Sequence, residues 1–392
     1  MSEGAGVGDS GDVVVRGRIV TATRQLDDGV LTVRGERVRA VESFAEWVGR
    51  HPESEVPSFA GIVVPGLVDI HCHGGFGYRF DTTDAGQARG AAEFHRAQGS
   101  TSVVAGLVTA PPDEMVTQVA MLRGLVAEGA VAGIHAEGPF LSEMRCGAQD
   151  PRYLRDPDLE LIDRLLAAAD GQLRVMTMAP ERPGFEAAAR RLAAHGVVVA
   201  LGHSDAPYDR FLAALAPAGT GTLVTHLANG MPPLHHRSPG PVAAGLVAAA
   251  HGRVTVELIG DGVHLDAGFG ALAFATAPGR VALITDAMQA AGLADGEYRL
   301  GPQAVRVTGG VARIANGSIA GGTATLLRCL RWAVHDCGVP LTDAVRAATA
   351  TPAAAIGLSQ VGDLRPDFYA DAIVLDATLG LRRVLHHGQW LT

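Results

Sequence analysis

The chain contains no lysine: all 32 of its basic residues are arginine. No lysine amine is therefore available to any site within it. Positive charge is scarce overall, since 41 acidic residues leave a net charge of −9. That balance excludes the basic surface of a general nucleic-acid binder, and an anionic ligand would need a local positive site. No apolar run reaches the roughly 18 residues needed to span a bilayer, so no membrane association is expected. The first dozen residues, MSEGAGVGDSGD, have neither a basic start nor an apolar stretch. They read as a frayed tail and not a secretion signal, which places the protein in the cytoplasm. Cys72, Cys146, Cys329 and Cys337 show no CxxC spacing and read as free thiols in a reducing compartment. No internal repeat is visible beyond the alternation described next.

What is abundant is apolar patterning, with 47% hydrophobic residues over 392 positions, enough core for one large domain with an appendage. From Asp12 to Val41, short β-branched runs are broken by Gly and Asp-Asp-Gly, the grammar of hairpins. The C-terminal stretch YADAIVLDATLGLRRVLHHGQW reads alike. The two ends therefore predict one small β-sandwich domain, built from residues 1–63 and 356–392. Between them, residues 64–355 alternate strand-like and helix-like runs, which predicts βα units and a parallel sheet. Eight candidate strands fall at 66–71, 102–108, 131–135, 173–178, 197–201, 222–225, 254–259 and 281–285. Alanine-rich segments such as DLELIDRLLAAA separate them. The fold class is α/β, a (β/α)8 barrel, with Gly-rich, Val-containing runs inserted at 288–322 in place of a helix.

Chemistry in such a barrel gathers where the strands end, and the polar residues stand there. The first strand ends in His71 and His73, the third in Glu137, the fifth in His203, the sixth in His226, the seventh in His264 and the eighth in Asp286. Strand side chains alternate faces, so His71 and His73 point one way and Cys72 the other. Both imidazoles can then bind one cation. Singly, each of these groups could be an ordinary hydrogen-bonded residue or a helix cap. Jointly they are hard to explain by packing, because uncompensated burial of so many polar groups is costly. His51, His95, His195, His251, His335, His386 and His387 have no comparable setting. Imidazole and carboxylate suit zinc, iron, manganese or cobalt. Such an ion lowers the pKa of water from 15.7 to about 7, roughly 12 kcal/mol towards hydroxide.

The motifs PGLVDIHCHGG, HAEGPF, LGHSDA, THLANGMPPLHHRSPG, GDGVHLD, LITDAM and IAGGT, in that order, resemble the amidohydrolase superfamily. Within it, HAEGPF combined with THLANGMP and a downstream arginine is similar to the N-acetylglucosamine-6-phosphate deacetylases. The resemblance covers nearly the whole chain. It implies hydrolysis of the acetamide of N-acetyl-D-glucosamine 6-phosphate to glucosamine 6-phosphate and acetate. An amidohydrolase acting on another N-acyl amino sugar or an N-acyl amino acid, or a non-catalytic binding barrel, are the alternatives.

Many binuclear relatives bridge their metals with a carboxylated lysine, which this chain cannot supply. The resemblance instead gives Glu137, His203 and His226 to a principal metal, with His71 and His73 holding a second and Glu137 bridging. One or two divalent ions are thus expected per subunit, zinc first among them. Asp286 would move the proton from water to the leaving amine, and His264 would polarise the carbonyl. Gln149, Asn229, Gly230, Arg237, His264, Ala320, Gly321 and Gly322 match substrate-contacting positions. Arg237 suits a phosphate, and in the family it reaches across the interface of a homodimer. One departure lies at Arg145 to Gln149, where Cys146 replaces a lysine and Gln149 a substrate-contacting histidine. An amide can donate a hydrogen bond but carries no charge, so Arg145 is a candidate to compensate. Cys146 is a candidate lid or redox thiol.

Overall fold

The computed structural model describes residues 6–7, 12–215 and 222–391. Eight parallel strands follow one another around a barrel: Val68–Cys72, Ser102–Leu107, Gly133–Glu137, Leu173–Met178, Val198–Leu201, Leu223–Val224, Thr255–Ile259 and Val281–Ile284. The ring closes where the Asp286 N–H donates to the His71 carbonyl at 2.9 Å and the His73 N–H to the Ala287 carbonyl at 2.7 Å. The expected (β/α)8 architecture is present. Every strand residue except Arg174 and Val198 is buried, which explains the near-continuous apolar runs: parallel strands here are covered on both faces.

The outer layer follows from helix amphipathicity. In Leu159–Ala169 the Asp158 carboxylate caps the N–H groups of Glu160 and Leu161, while Leu161, Ile162, Leu165 and Ala169 face inward. Each large apolar side chain so buried contributes about 1.5–3 kcal/mol. Inside the barrel, Val68, Ile70, Val104, Val175, Ala200, Leu223, Ile259, Ala282 and Ile284 form one apolar layer with Ala353, Ala355 and Ile356 packed against it. The polar groups of the strand ends stand on this layer.

Strict alternation does not carry the first strand from Val68 and Ile70 to His71 and His73. The ladder to the second strand shifts register between Asp69 and Cys72. Past this irregularity both histidines face the interior and Cys72 joins the shell, its Sγ 3.2 Å from His95 Nε2. An irregular residue of this kind re-aims side chains beside a site. Gly106 on the neighbouring strand leaves the space: a Cβ there would lie 2.9 Å from His73 Nδ1.

The chain ends meet in one hydrogen-bonded sheet, ordered Gln389–Trp390, Leu381–His386, Ala372–Leu375, Phe59–Pro65, Val13–Val20, Gln25–Arg34 and Arg37–Ser43. It has its own core of Val15, Ile19, Leu31, Val33, Val63, Val374 and neighbours. Gly6–Val7 pair antiparallel with Val13 and Val14, so this part of the expected frayed tail is a strand instead. The remainder of that expectation, at 1–5 and 8–11, lies outside the described residues. The 288–322 segment holds a three-stranded antiparallel sheet, Gly296–Leu300, Gln303–Thr308 and Val311–Arg313. Leu300, Val305 and Val307 seal it against Val108 and Met288. Among the described residues, no helix is long and apolar enough to cross a membrane.

Candidate active site

His71, His73, Glu137, His203, His226 and Asp286 converge although they stand at the ends of five different strands. His71 Nε2 lies 3.2 Å from His73 Nε2, and Asp286 Oδ1 is 3.1 Å from His73 Nε2 and 3.4 Å from His71 Nε2. Glu137 Oε1 lies 3.0 Å from His203 Nε2 and 2.9 Å from His226 Nε2, which are themselves 3.1 Å apart. Glu137 Oε2 turns towards His73 at 3.3 Å. His203 has φ 46°, His226 φ 26° and Asp286 φ 47°. Left-handed backbone at three non-glycine strand ends costs of order 1–3 kcal/mol each and clusters where function over-determines it.

These donors fit a divalent cation. Two ring nitrogens at 3.1–3.2 Å can share only one proton between them, yet the pairing occurs twice, beside two carboxylates, in a buried space. Two groups of potential ligands result: His71, His73, Glu137 and Asp286, and Glu137, His203 and His226, with Glu137 common to both. Nitrogen and carboxylate oxygen are the donors that zinc and its neighbours take. Several further ring atoms are tied from behind. His71 Nδ1 lies 3.1 Å from Glu257 Oε2, and His203 Nδ1 2.7 Å from the Arg145 carbonyl. Such contacts fix ring orientation and tautomer.

Without a cation, protons balance the carboxylates. Burial pushes the His73 imidazole down, but hydrogen bonding to Asp286 and Glu137 outweighs it and holds the group up at about 9. His71 is likewise raised, against burial, by the charges of Glu137 and Asp286. In return, Asp286 is held at about 2 despite its burial, through His71 and His73. Glu137 lies well below the usual carboxylate range: burial opposes this, but the His71 charge and the bonds to His203 outweigh it.

A cavity of about 280 Å³ opens over this floor, lined by His73, Glu137, Gln149, His203, His226 and Asp286 among others. His264, Asn229, Gly230 and Gly321 also line it, and Leu300, Ser318 and Ile319 of the inserted segment form one wall. Other expected contacts are not brought there. Ala320 is buried in the core of the inserted sheet, and the Gly322 N–H donates to the Asp286 carbonyl. Arg237 is exposed, 2.8 Å from His236 Nε2, and does not line the cavity of its own chain. The Arg145 guanidinium pairs with Asp205 at 2.6 Å, also off the cavity wall. Cys146 is half-buried, and burial pushes its thiol up, away from a reactive thiolate.

Three site groups were not read from sequence. Glu257 stands inside the apolar strand TVELI, and a wholly buried acid needs partners; that was the available signal. It supports His71 and also accepts the His226 N–H at 3.2 Å. Asp261 lies 2.7 Å from His264 Nδ1. His135, in the HAEGPF motif, packs edge-on against His71 with Nε2 2.8 Å from Thr177 Oγ1. His95, which had no distinguishing setting, is buried with Nε2 2.9 Å from the Gly74 carbonyl.

Known proteins are similar to this chain over nearly its whole length. A structure of N-acetyl-D-glucosamine-6-phosphate deacetylase from Mycobacterium smegmatis, a mutant in complex with N-acetyl-D-glucosamine-6-phosphate, superposes with a TM-score of 0.90 at 42% identity, covering 96% of this chain and 98% of that one. The N-acetylglucosamine-6-phosphate deacetylase of Vibrio furnissii is 34% identical over 95% of this chain and 93% of its own length. An N-acetylgalactosamine-6-phosphate deacetylase from Escherichia coli O157:H7 is 35% identical over 95% and 97%. The sequence pattern of the amidohydrolase family matches residues 62–387. With these residues matched and the barrel and its rim of ligands in place, the chain belongs to the amidohydrolase family.

Proposed function

We propose that this chain hydrolyses the acetamide of N-acetyl-D-glucosamine 6-phosphate, giving glucosamine 6-phosphate and acetate. The carrying observation is the position of Asp286: an ionised carboxylate 3.1 Å from His73, on the floor of the same cavity that Glu137, His203, His226 and His264 line. Glu137, His203 and His226 would hold one divalent ion, and His71 and His73 a second, zinc being the first candidate. A cation bound there supplies the acidity that makes water nucleophilic at neutral pH.

The chain's own groups then divide the work. Asp286, kept ionised, takes a proton from the attacking water and returns it to the amine as the C–N bond breaks. His264, steadied by Asp261, donates to the acetamide oxygen as negative charge develops there. Asn229, Gly230 and the Gly321 backbone position the sugar. Arg237, exposed in its own chain, suits the phosphate of substrate bound to the partner of a homodimer, because its planar fork offers paired hydrogen bonds. The proposal includes a role in amino-sugar metabolism and a cytoplasmic location.

A second reading, the galactosamine epimer, is favoured by the 35% identity to the Escherichia coli relative. The test is acetate release by chelated protein reconstituted with zinc, iron, manganese or cobalt. N-Acetylglucosamine 6-phosphate is expected to be the best substrate. Faster turnover of N-acetylgalactosamine 6-phosphate selects the second reading, and a preference for unphosphorylated sugar overturns both.

A further inference from the structure

Gln149 stands where a substrate contact was expected, yet its amide is already engaged on both sides. The residue is buried, at 5% exposure. The Thr109 backbone N–H donates to Gln149 Oε1 at 2.7 Å. A backbone N–H can only donate, so this contact fixes which end of the amide is oxygen and leaves the NH2 group facing the other way. That group donates to Glu137 Oε2 at 2.7 Å. Thr109 closes the circuit, its hydroxyl donating to the Glu137 carbonyl at 3.2 Å.

We infer that Gln149 is a positioning residue for Glu137, holding the carboxylate so that Oε1 stays on His203 and His226 while Oε2 faces His73. The inference rests on the metal-dependent reading above. The terminal torsion of a glutamate is broad and roughly two-fold, so nothing intrinsic to the side chain holds its carboxylate plane. Here Oε1 meets His203 and His226, at 3.0 and 2.9 Å, and lies 3.7 Å from His71 Nε2, while Oε2 meets Gln149 and faces His73. A carboxylate shared between two ligand groups needs both oxygens held, and the hydrogen bond from Gln149 is of the stronger, charge-assisted kind. Because the amide is neutral, it orients Glu137 without adding charge to the ligands. Outer partners of metal ligands act in this way.

Gln149→Met keeps the length of the side chain and removes the donor. In the full-length, metal-stripped protein, zinc affinity measured against a chromophoric chelator should fall about tenfold to a hundredfold. The absorption spectrum of the cobalt-loaded variant should change in the same experiment. At saturating metal, KM for N-acetylglucosamine 6-phosphate should be unchanged. Unaltered metal affinity overturns the inference, as does a raised KM with affinity intact, which is the mark of a substrate contact. Thermal unfolding of the metal-free variant reports on its fold, and Gln149→Leu, with the same expected loss, replaces it should Met not be accommodated. The comparison is independent of the substrate: wild-type protein that binds zinc but releases no acetate would remove the proposed reaction and leave this result standing.

Discussion

Asp261 Oδ2 lies 2.7 Å from His264 Nδ1, and Asp261 Oδ1 accepts the N–H groups of Val263 and His264 at 2.8 and 2.9 Å. One carboxylate thus sets both the backbone turn and the ring that faces the cavity. Burial pushes the His264 imidazole down, but the bond to Asp261 outweighs it and raises its pKa. His264→Ala should lower kcat about 10²–10³-fold, the usual consequence of losing one donor to a developing oxyanion. Asp261→Ala should lower kcat in the same direction with metal content unchanged. Steady-state kinetics with elemental analysis checks both, and a wild-type kcat in either variant refutes the orientation argument.

Asp286→Asn removes a proton carrier while keeping the shape of the side chain. Turnover should fall about 10²–10⁴-fold. Bound metal should persist through Glu137, His203 and His226, which form a ligand group without Asp286. Loss of metal in parallel with activity would make Asp286 chiefly a ligand.

Metal loading should depend on pH with a defined sign. The His73 proton, opposed by burial but stabilised by Asp286 and Glu137 up to about 9, must leave before its nitrogen can coordinate. Loading therefore releases protons, and apparent affinity should rise with pH until about 9 and then level off. Calorimetry of zinc binding in buffers of different ionisation enthalpy counts those protons. A count of zero at pH 7 contradicts the protonated state of the metal-free site.

His95 predicts an acid instability separate from the metal. Its pKa is lowered to about 4 by burial, only partly offset by the bond to the Gly74 carbonyl. The unfolded chain binds this proton near pH 6.5 and the folded one only near 4. Its stabilising contribution is complete above 6.5 and lost as pH falls towards 4, about 3 kcal/mol in all. Urea unfolding of metal-free wild type and His95→Gln should show a shallower decline for the variant across that window; equal slopes would show that His95 does not titrate there.

The residues of the site differ in how far they could be read in advance. His71 and His73 were legible because their spacing puts two imidazoles on one side, although the register shift between Asp69 and Cys72 was needed to turn that side inward. Glu137, His203, His226 and Asp286 were legible as polar residues closing apolar runs. The barrel itself was legible from strand-like runs in regular alternation with amphipathic helices. Gln149 is legible by its place in the motif order, which says nothing of where an amide points; its contact with Glu137 depends on the Thr109 backbone N–H, which holds the other end of that amide. The role of Glu257 is not legible in the sequence because its partner, His71, is 186 positions away. Arg237, expected to act across a dimer interface, stands exposed outside its own chain's cavity.

The amino-acid order alone determined which side chains are available, on which strand and at which end, since apolar periodicity and the polar residues that interrupt it are local properties. It also ruled out a lysine-derived bridge. Only the closed tertiary structure decided which nitrogen faces which oxygen. Those distances arise between strands remote in sequence, and they are set by barrel closure, by left-handed strand ends and by buried carboxylates that had to find partners.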